Sequence, residues 1–449
     1  MVIQFKNRKK ELKEMQDVLG SGKFELMVLY GRRRIGKTEL VLKATEKKKR
    51  VYYLAVGENN LERFYSACIA AFPEMTVIKP DWEALFGFLK NKADAVIIDE
   101  FQNLIKENSS IVNLFQSIVD LTLKNSKIKL FLLGSSVSMI TSMVLEESSP
   151  LYGRRTGSMC LKAISFFDLR LFFPGASMEE LVELYSFADG IPFYLVKIDD
   201  EFWHWLEKEL KSGKSFLKDE VDFLMKYEFE DASTYKLILE AIANGKTKLN
   251  EIKDFIKVKR TDLTPYLKNL IEVKMVERIV PITENEKSRK GRYYLGDFFL
   301  KFWFRHVYRN LSSIEEGIFN AGIIKKEYSE YLGEVFEHIA RQYMVKEMHS
   351  ALKFNKIGKW WHKGAEIDIV AFDEAGKKAI FAECKWKDKV NAMELAKQLN
   401  EKTSMVEWDN EERKEIFVIF AKSFSKKITE FESKKVFCID LKSIKKAMN

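Results

Sequence analysis

Gly31-Arg32-Arg33-Arg34-Ile35-Gly36-Lys37-Thr38 follows the apolar run 24–30 and opens a helix-patterned stretch over 37–48. The spacing is G-x-x-x-x-G-K-[ST], and the flanks are a strand before and a helix after. Glycines let a backbone wrap closely enough for several amide N–H groups to converge, and the helix N-terminus adds the positive end of its dipole. Such a loop cradles phosphates. Lys37 is expected to reach the β- and γ-phosphates, and the Thr38 hydroxyl to ligate Mg²⁺. Gly31, Arg34, Gly36, Lys37 and Thr38 form the candidate nucleotide-binding set; Arg32 and Arg33 are equally available for anion contact, and the pattern does not rank the three arginines. The competing reading is a chance Gly-Lys loop on a helix cap.

A second motif argues against chance. Ala95-Val96-Ile97-Ile98-Asp99-Glu100 is a four-residue apolar run with an acidic pair at its carboxyl end, where open α/β sheets bind ligands. Asp99 is expected to hold the metal through water, and Glu100 to polarise an attacking water, which makes hydrolysis the expected outcome. An acidic helix cap is the alternative. Leu132-Leu133-Gly134-Ser135-Ser136 ends another strand, where the Ser135 hydroxyl senses the γ-phosphate, holds the water or merely closes a turn. In Tyr152-Gly153-Arg154-Arg155-Thr156-Gly157, Arg154 or Arg155 is a candidate arginine finger or a surface cation.

These motifs lie in a chain of 449 residues, 46% hydrophobic and 31% charged, with 7 Pro and 21 Gly, which excludes a disordered, collagenous or disulfide-stapled chain. No run approaches the ~18 apolar residues of a membrane span, and the first residues do not read as a signal peptide, so a cytoplasmic location without membrane contact is expected. The cysteines (68, 160, 384, 438) form no C-x-x-C pair, and the five histidines show no ligand spacing. The formal net charge of +9 fits a polyanionic partner, here DNA, although surface lysines alone give the same figure.

Short β-branched runs at 24–30, 51–56, 95–99, 129–134 and 158–164 alternate with helical stretches, the pattern of a parallel sheet covered on both faces. Residues 166–225 read as helical, interrupted at Gly190-Ile191-Pro192. Helices at 234–243, 248–255 and 261–272 then precede strands at 275–281 and 292–295, which is the order of a winged helix-turn-helix. Leu263, Leu267 and Leu270 face its core, Thr261, Thr264, Lys268 and Asn269 face outward, and Lys287, Arg289, Lys290 and Arg292 of the wing suit a phosphate clamp or a solvated basic loop. The expected division is an ATPase core at 1–168, a helical lid at 169–227, a winged helix at 228–300, connecting helices at 301–328 and a last domain at 329–449.

In that last domain a hairpin of 366–371 and 378–385 brings Asp368 beside Glu383 and Lys385. Two carboxylates that close repel unless a cation lies between them, as in a Mg²⁺ site for phosphodiester cleavage. Glu337 on the preceding helix supplies a further carboxylate, Lys385 orients the water or neutralises the developing charge, and Gln398 on the following helix borders the site. The alternative is a charged, solvated hairpin.

Residues 1–310 resemble the archaeal ATPase family of the AAA+/STAND branch of P-loop NTPases. The resemblance is carried by Phe5 to Leu12, the phosphate loop, Ile98-Asp99-Glu100-Phe101-Gln102, Gly134-Ser135-Ser136, Leu151 to Thr156, and Gly190-Ile191-Pro192-Phe193-Tyr194. It implies that Asn7 and Arg8 lie near the adenine and that Gly190-Ile191-Pro192 caps the nucleotide from the lid. Residues 330–445 resemble the PD-(D/E)xK restriction-endonuclease-like fold, with Ile367 where the motif has Pro, and also the uncharacterised domain often fused behind such ATPases. The expected fold class is thus α/β multidomain: a P-loop parallel sheet, helical lid, winged helix and nuclease-like domain. The expected function is Mg-dependent ATP hydrolysis coupled to DNA binding, with a metal-dependent nuclease. The alternative is a nucleotide-switched regulatory protein whose nuclease fold is an inactive scaffold.

Overall fold

Continuous apolar strands and amphipathic helices dictate the core of the first unit. The computed structural model describes residues 5–229, 231–257 and 262–448. Backbone contacts divide them into two compact units. One holds the described residues up to 163 together with 191–193 and 272–274; the other holds 164–190, 194–271 and the rest of the described chain.

The first unit is built on five parallel strands: β1 (Glu25–Tyr30), β2 (Arg50–Leu54), β3 (Ala95–Asp99), β4 (Lys129–Gly134) and β5 (Gly157–Cys160), in the order β2-β3-β4-β1-β5. Every residue of β3 and β4 is buried, as strands covered on both faces require. Tyr30 pairs with Gly134 and Ile98 with Leu132, so the carboxyl ends of β1, β3 and β4 lie along one edge. Phe64, Trp82, Phe86, Phe101 and Phe115 pack beside the sheet with ring centroids 4.9–5.6 Å apart, each burial stabilising by ~1.5–3 kcal/mol. Helix Trp82–Leu89, which carries two of these rings, starts where the Asp81 carboxylate accepts from the Ala84 amide at 3.0 Å. The last strand is shorter than its sequence pattern. The Leu161 amide still donates to Tyr30 O at 2.8 Å, but the chain then leaves the sheet.

In the second unit helix Met178–Ala188 begins with a Ser177–Glu180 capping box. Helices Ser233–Ala243, Leu249–Phe255 and Thr264–Glu272 precede an antiparallel pair, β6 (Val276–Ile279) and β7 (Arg292–Leu295). Leu263, Leu267 and Leu270 are buried as expected. Thr261 and residues 258–260 lie outside the described residues. Phe187, Phe299, Phe302, Tyr328 and Tyr331 form a buried aromatic core, the last two from helix Gly322–Tyr343. That helix runs across the expected boundary at 328/329 between the connecting helices and the last domain.

A strand not anticipated from sequence comes next, β8 (Lys356–His362), then β9 (Ala365–Asp373) and β10 (Lys378–Lys385). Helix Ala392–Thr403 and strands Lys414–Ala421, Glu430–Phe431 and Lys434–Ile439 complete a six-stranded mixed sheet. β8, β9 and β10 are antiparallel neighbours, and β10 runs parallel to Lys414–Ala421.

Candidate nucleotide site

The phosphate loop turns on two glycines. Gly31 has φ +145°, and a Cβ there would lie 2.5 Å from the Leu161 carbonyl oxygen; Gly36, at φ +90°, starts helix Lys37–Ala44. Lys37 is buried, and its ammonium donates to the carbonyls of Gly31 (2.9 Å) and Arg32 (3.1 Å), which holds it across the loop. The Arg34 guanidinium lies 4.1 Å over the Phe193 ring, and a Cβ on Gly36 would stand 3.9 Å from Pro192 Cγ. Residues 191–193 thus belong to the phosphate-loop unit. So does the N-terminal turn: Asn7 (φ 68°) and Arg8 (φ 65°) are both left-handed, and the buried Arg8 donates to Ile35 O at 3.1 Å and pairs with Glu11 at 3.0 Å.

The Thr38 hydroxyl donates to Asp99 Oδ2 at 2.5 Å, and the Tyr52 hydroxyl donates to the same oxygen at 3.2 Å. The Glu100 amide donates to Asp99 Oδ1 at 2.9 Å. Burial raises the Asp99 pKa above the usual carboxylate value, opposed by the bond from Thr38. Thr38 and Asp99 present hard oxygens at one spot, which fits Mg²⁺, an ion that takes one or two protein ligands and fills its shell from phosphates and water.

Glu100 itself is left-handed (φ 53°), a conformation uncommon for a side chain of this size and characteristic of functional turns. Its Oε2 accepts from Ser135 Oγ at 2.5 Å and from the Gln102 carboxamide, which also donates to Ser135 Oγ at 3.2 Å. Lys37, Thr38, Asp99, Glu100 and Ser135 therefore converge on the edge where β1, β3 and β4 end.

Arg154 and Arg155 do not join them. Thr156 is tied to Leu26 near the start of β1, so the two arginines precede β5 at the opposite edge of the sheet. The four residues from Leu26 to Tyr30 span ~13 Å at ~3.3 Å each. Arg154 is paired bidentately with Asp120 (3.0–3.2 Å), and Arg155 lies 4.8 Å over the Tyr152 ring. A finger role at the phosphate loop of the same chain is thereby corrected: the strand direction carries these residues away from it.

The C-terminal carboxylates are brought near one another but not as a metal cage. Among the described residues no group of three or more His, Cys, Asp and Glu side chains is placed to hold a metal ion, and Glu337, Asp368 and Glu383 remain candidates for the reading proposed below. Lysines meet the charge instead. Glu337 pairs with Lys359, and Glu383 pairs with Lys385 (2.8 Å) and Lys402 (2.9 Å). Asp368 accepts from the Cys384 amide at 2.8 Å, and burial, with Glu337 and Glu383 nearby, pushes its pKa well above the usual range. Gln398 is exposed; Lys402, one turn later on its helix, is the residue that reaches Glu383.

The wing is likewise less free than expected. Arg292 pairs with Glu366 at 3.1 Å under the Trp361 ring, and Lys290 pairs with Glu284 at 2.6 Å, leaving Lys287 and Arg289 as the exposed members without a carboxylate partner in the wing. Thr264 and Asn269 bond to Asp262 (2.7 Å) and Tyr235 (2.8 Å).

Three contributors escaped sequence reading: Tyr52, Gln102 and Lys402. Tyr52 sits one strand away from Asp99, and only the sheet order reveals it. Gln102 stands two residues after Glu100 and enters the sequence reading only as part of the stretch that carries the family resemblance, not as a partner of Glu100.

A parallel sheet with a phosphate loop after β1, an acidic pair after β3 and β4 between them defines a P-loop ATPase. Residues 5–198 match the family described as an ATPase domain predominantly from Archaea, and 303–401 match one described as archaeal and bacterial proteins of unknown function. An uncharacterised protein of Methanocaldococcus jannaschii, MJECL04, is 52% identical over 91% of this chain and 94% of its own. The chain belongs to that protein's family, and in this chain an ATPase domain is followed by a domain of unknown function. Among solved structures, the Walker-type ATPase PABY2304 of Pyrococcus abyssi has a TM-score of 0.53 at 21% identity. The match covers 67% of this chain and 96% of that one, and it supports the fold. The Aeropyrum pernix ORC2 protein, in ADPNP–ADP complexes, has a TM-score of 0.45 at 16% identity over 69% of this chain and 96% of its own. No helix among the described residues is long and apolar enough to cross a membrane.

Proposed function

We propose that this chain binds Mg·ATP at the phosphate loop and hydrolyses it. The observation that carries the reading is the 2.5 Å contact of Thr38 with Asp99, one residue from the Glu100–Ser135 pair at the same strand edge. In this reading the amides of Gly31 to Gly36 cradle the phosphates and Lys37 offsets their charge. Thr38 and Asp99 hold the magnesium ion, which supplies charge neutralisation at the phosphates. Glu100 orients the attacking water, and Ser135 senses the terminal phosphate. Arg8 and Asn7 border the base side, and Arg34 with Pro192 borders the loop from the other flank. Arg154 and Arg155 serve such a site only from a second copy of the chain. The test is steady-state ATP hydrolysis with Mg²⁺ by the wild type and Glu100→Gln. A loss of ~100-fold or more in the variant is expected; equal rates reject the assignment.

Nucleotide state is coupled, in the same reading, to DNA held by the three helices and the β6–β7 wing. The net charge of +9 and the exposed Lys287 and Arg289 support it. Affinity for duplex DNA should fall steeply with salt and drop further in Lys287→Ala/Arg289→Ala; salt-independent binding, or none at low salt, opposes it.

A second reading concerns the C-terminal sheet. The lysines that pair with Glu337 and Glu383 favour an inactive scaffold over a metal-dependent nuclease. Supercoiled DNA incubated with Mg²⁺ or Mn²⁺ decides between them: nicking by wild type that disappears in Asp368→Ala and Glu383→Ala restores the nuclease.

A further inference from the structure

Gln102 is fully buried, yet it is polar and opens the helix Gln102–Glu107 directly behind the acidic pair. Burying a carboxamide there carries a desolvation cost that an apolar residue avoids, so its hydrogen bonds must offset it. Its Nε2 donates to Glu100 Oε2 and to Ser135 Oγ, while Ser135 Oγ donates to the same Glu100 oxygen at 2.5 Å. The three side chains close a small ring of hydrogen bonds. Room for it comes from Gly134, where a Cβ would stand 3.0 Å from Gln102 Oε1 and 2.2 Å from Ile140 Cγ1. Phe101, between the two polar residues, is buried against Phe115, and its amide donates to Leu133 O at 2.8 Å, so Glu100 and Gln102 are pinned to the end of β4 from both sides.

We propose that Gln102 is a positioning residue that holds the Glu100 carboxylate at the orientation needed to direct water at the terminal phosphate. A hydroxyl has one proton. If Ser135 gives its proton to a phosphate oxygen, Glu100 loses that donor and keeps the one from Gln102. Gln102 thereby steadies the carboxylate when Ser135 turns to the nucleotide, and it acts through Glu100 rather than on ATP. The inference rests on Glu100 being the residue that orients the attacking water.

The test uses the full chain as wild type, Gln102→Met, Glu100→Gln and the double variant Glu100→Gln/Gln102→Met. Gln102→Met keeps the side-chain length without a donor and should lower kcat by ~10–100-fold with Mg·ATP affinity within about threefold of wild type. In the Glu100→Gln background the same change should cost less than about twofold, because the group it serves is already gone. A purely structural role predicts the same fold loss in both backgrounds, and that result overturns the proposal, as does an unchanged kcat in Gln102→Met. Should Gln102→Met fail to fold, Gln102→Leu, also apolar and without a donor, replaces it in both backgrounds with the same expectations. If Glu100→Gln itself turns over at the wild-type rate, the reading of Glu100 falls first. A dead Glu100→Gln beside an active Gln102→Met removes Gln102 alone.

Discussion

The hydroxyl of Thr38 and the carboxylate of Asp99 meet at 2.5 Å although 61 residues separate them. One opens the helix after β1, the other closes β3, and β4 lies between the two strands. The contact spans the notch where three strands end, the place at which an open α/β sheet exposes converging backbone and side-chain groups. Thr38→Ala removes one of two protein oxygens at that point. We expect kcat/KM for Mg·ATP to fall by ~100-fold with little change in melting temperature, read from steady-state kinetics and thermal unfolding of the same preparation.

Tyr52 offers a subtler check. Its hydroxyl donates to the Asp99 oxygen that Thr38 also contacts. Partners that orient a ligand are worth about tenfold or more when they are removed. Tyr52→Phe should therefore raise the Mg²⁺ concentration for half-maximal ATPase rate by ~10-fold while leaving the rate at saturating Mg²⁺ within twofold. A Mg²⁺ titration measures both numbers.

Gly31 tests the loop backbone. Alanine there meets the Leu161 carbonyl and must adopt φ +145°, which L side chains rarely do. We expect Gly31→Ala to destabilise the protein by ~2–4 kcal/mol and to weaken ATP binding at least tenfold. Chemical denaturation and nucleotide titration report the two effects separately.

The pH dependence of stability is set in part by His306. Its ring is buried among Phe302, Tyr328 and Tyr331, neither ring nitrogen has a hydrogen-bond partner among the described residues, and burial lowers its pKa to about 3. The unfolded chain, at about 6.5, binds the proton more readily than the folded one. Stability is thus full above pH 6.5 and falls as pH drops from there towards 3, by ~1 kcal/mol per pH unit. His306→Phe should flatten that slope in urea titrations at pH 7 and pH 5; an unchanged slope would assign the acid sensitivity to other groups.

Much of this was legible in the sequence, because local spacing and strand periodicity carry it. The phosphate loop, Asp99-Glu100 and Ser135 were readable from apolar runs and the glycine, acidic or hydroxyl residues that end them. Four of the five strands of the first sheet fell within about two residues of their expected ends, and the fifth stopped early because the chain turns away at Leu161 to pass Gly31. Strand order was not legible: nothing local says that β4 inserts between β1 and β3 or that β2 lies beside β3, and the second omission kept Tyr52 beside Asp99 hidden. The edge assigned to Arg154 and Arg155 was available in principle, since a loop that enters a parallel strand lies at the far end from one that leaves it. β8 was missed because its pairing shifts register between Gly358 and Trp360, which blurs the period-two alternation. The lysines around Glu383 and Glu337 come from β8, from the end of β10 and from the helix after it, so the neutralised character of that cluster emerges only once the sheet is assembled.

Calorimetric titration of Mg·ATP into the full chain, alongside Lys37→Ala, bears most directly on the central claim. A saturable heat at one nucleotide per chain, with a raised melting temperature in the wild type and neither effect in the variant, is the outcome this account requires. A wild-type chain that gives no heat and no thermal protection at millimolar Mg·ATP would contradict it.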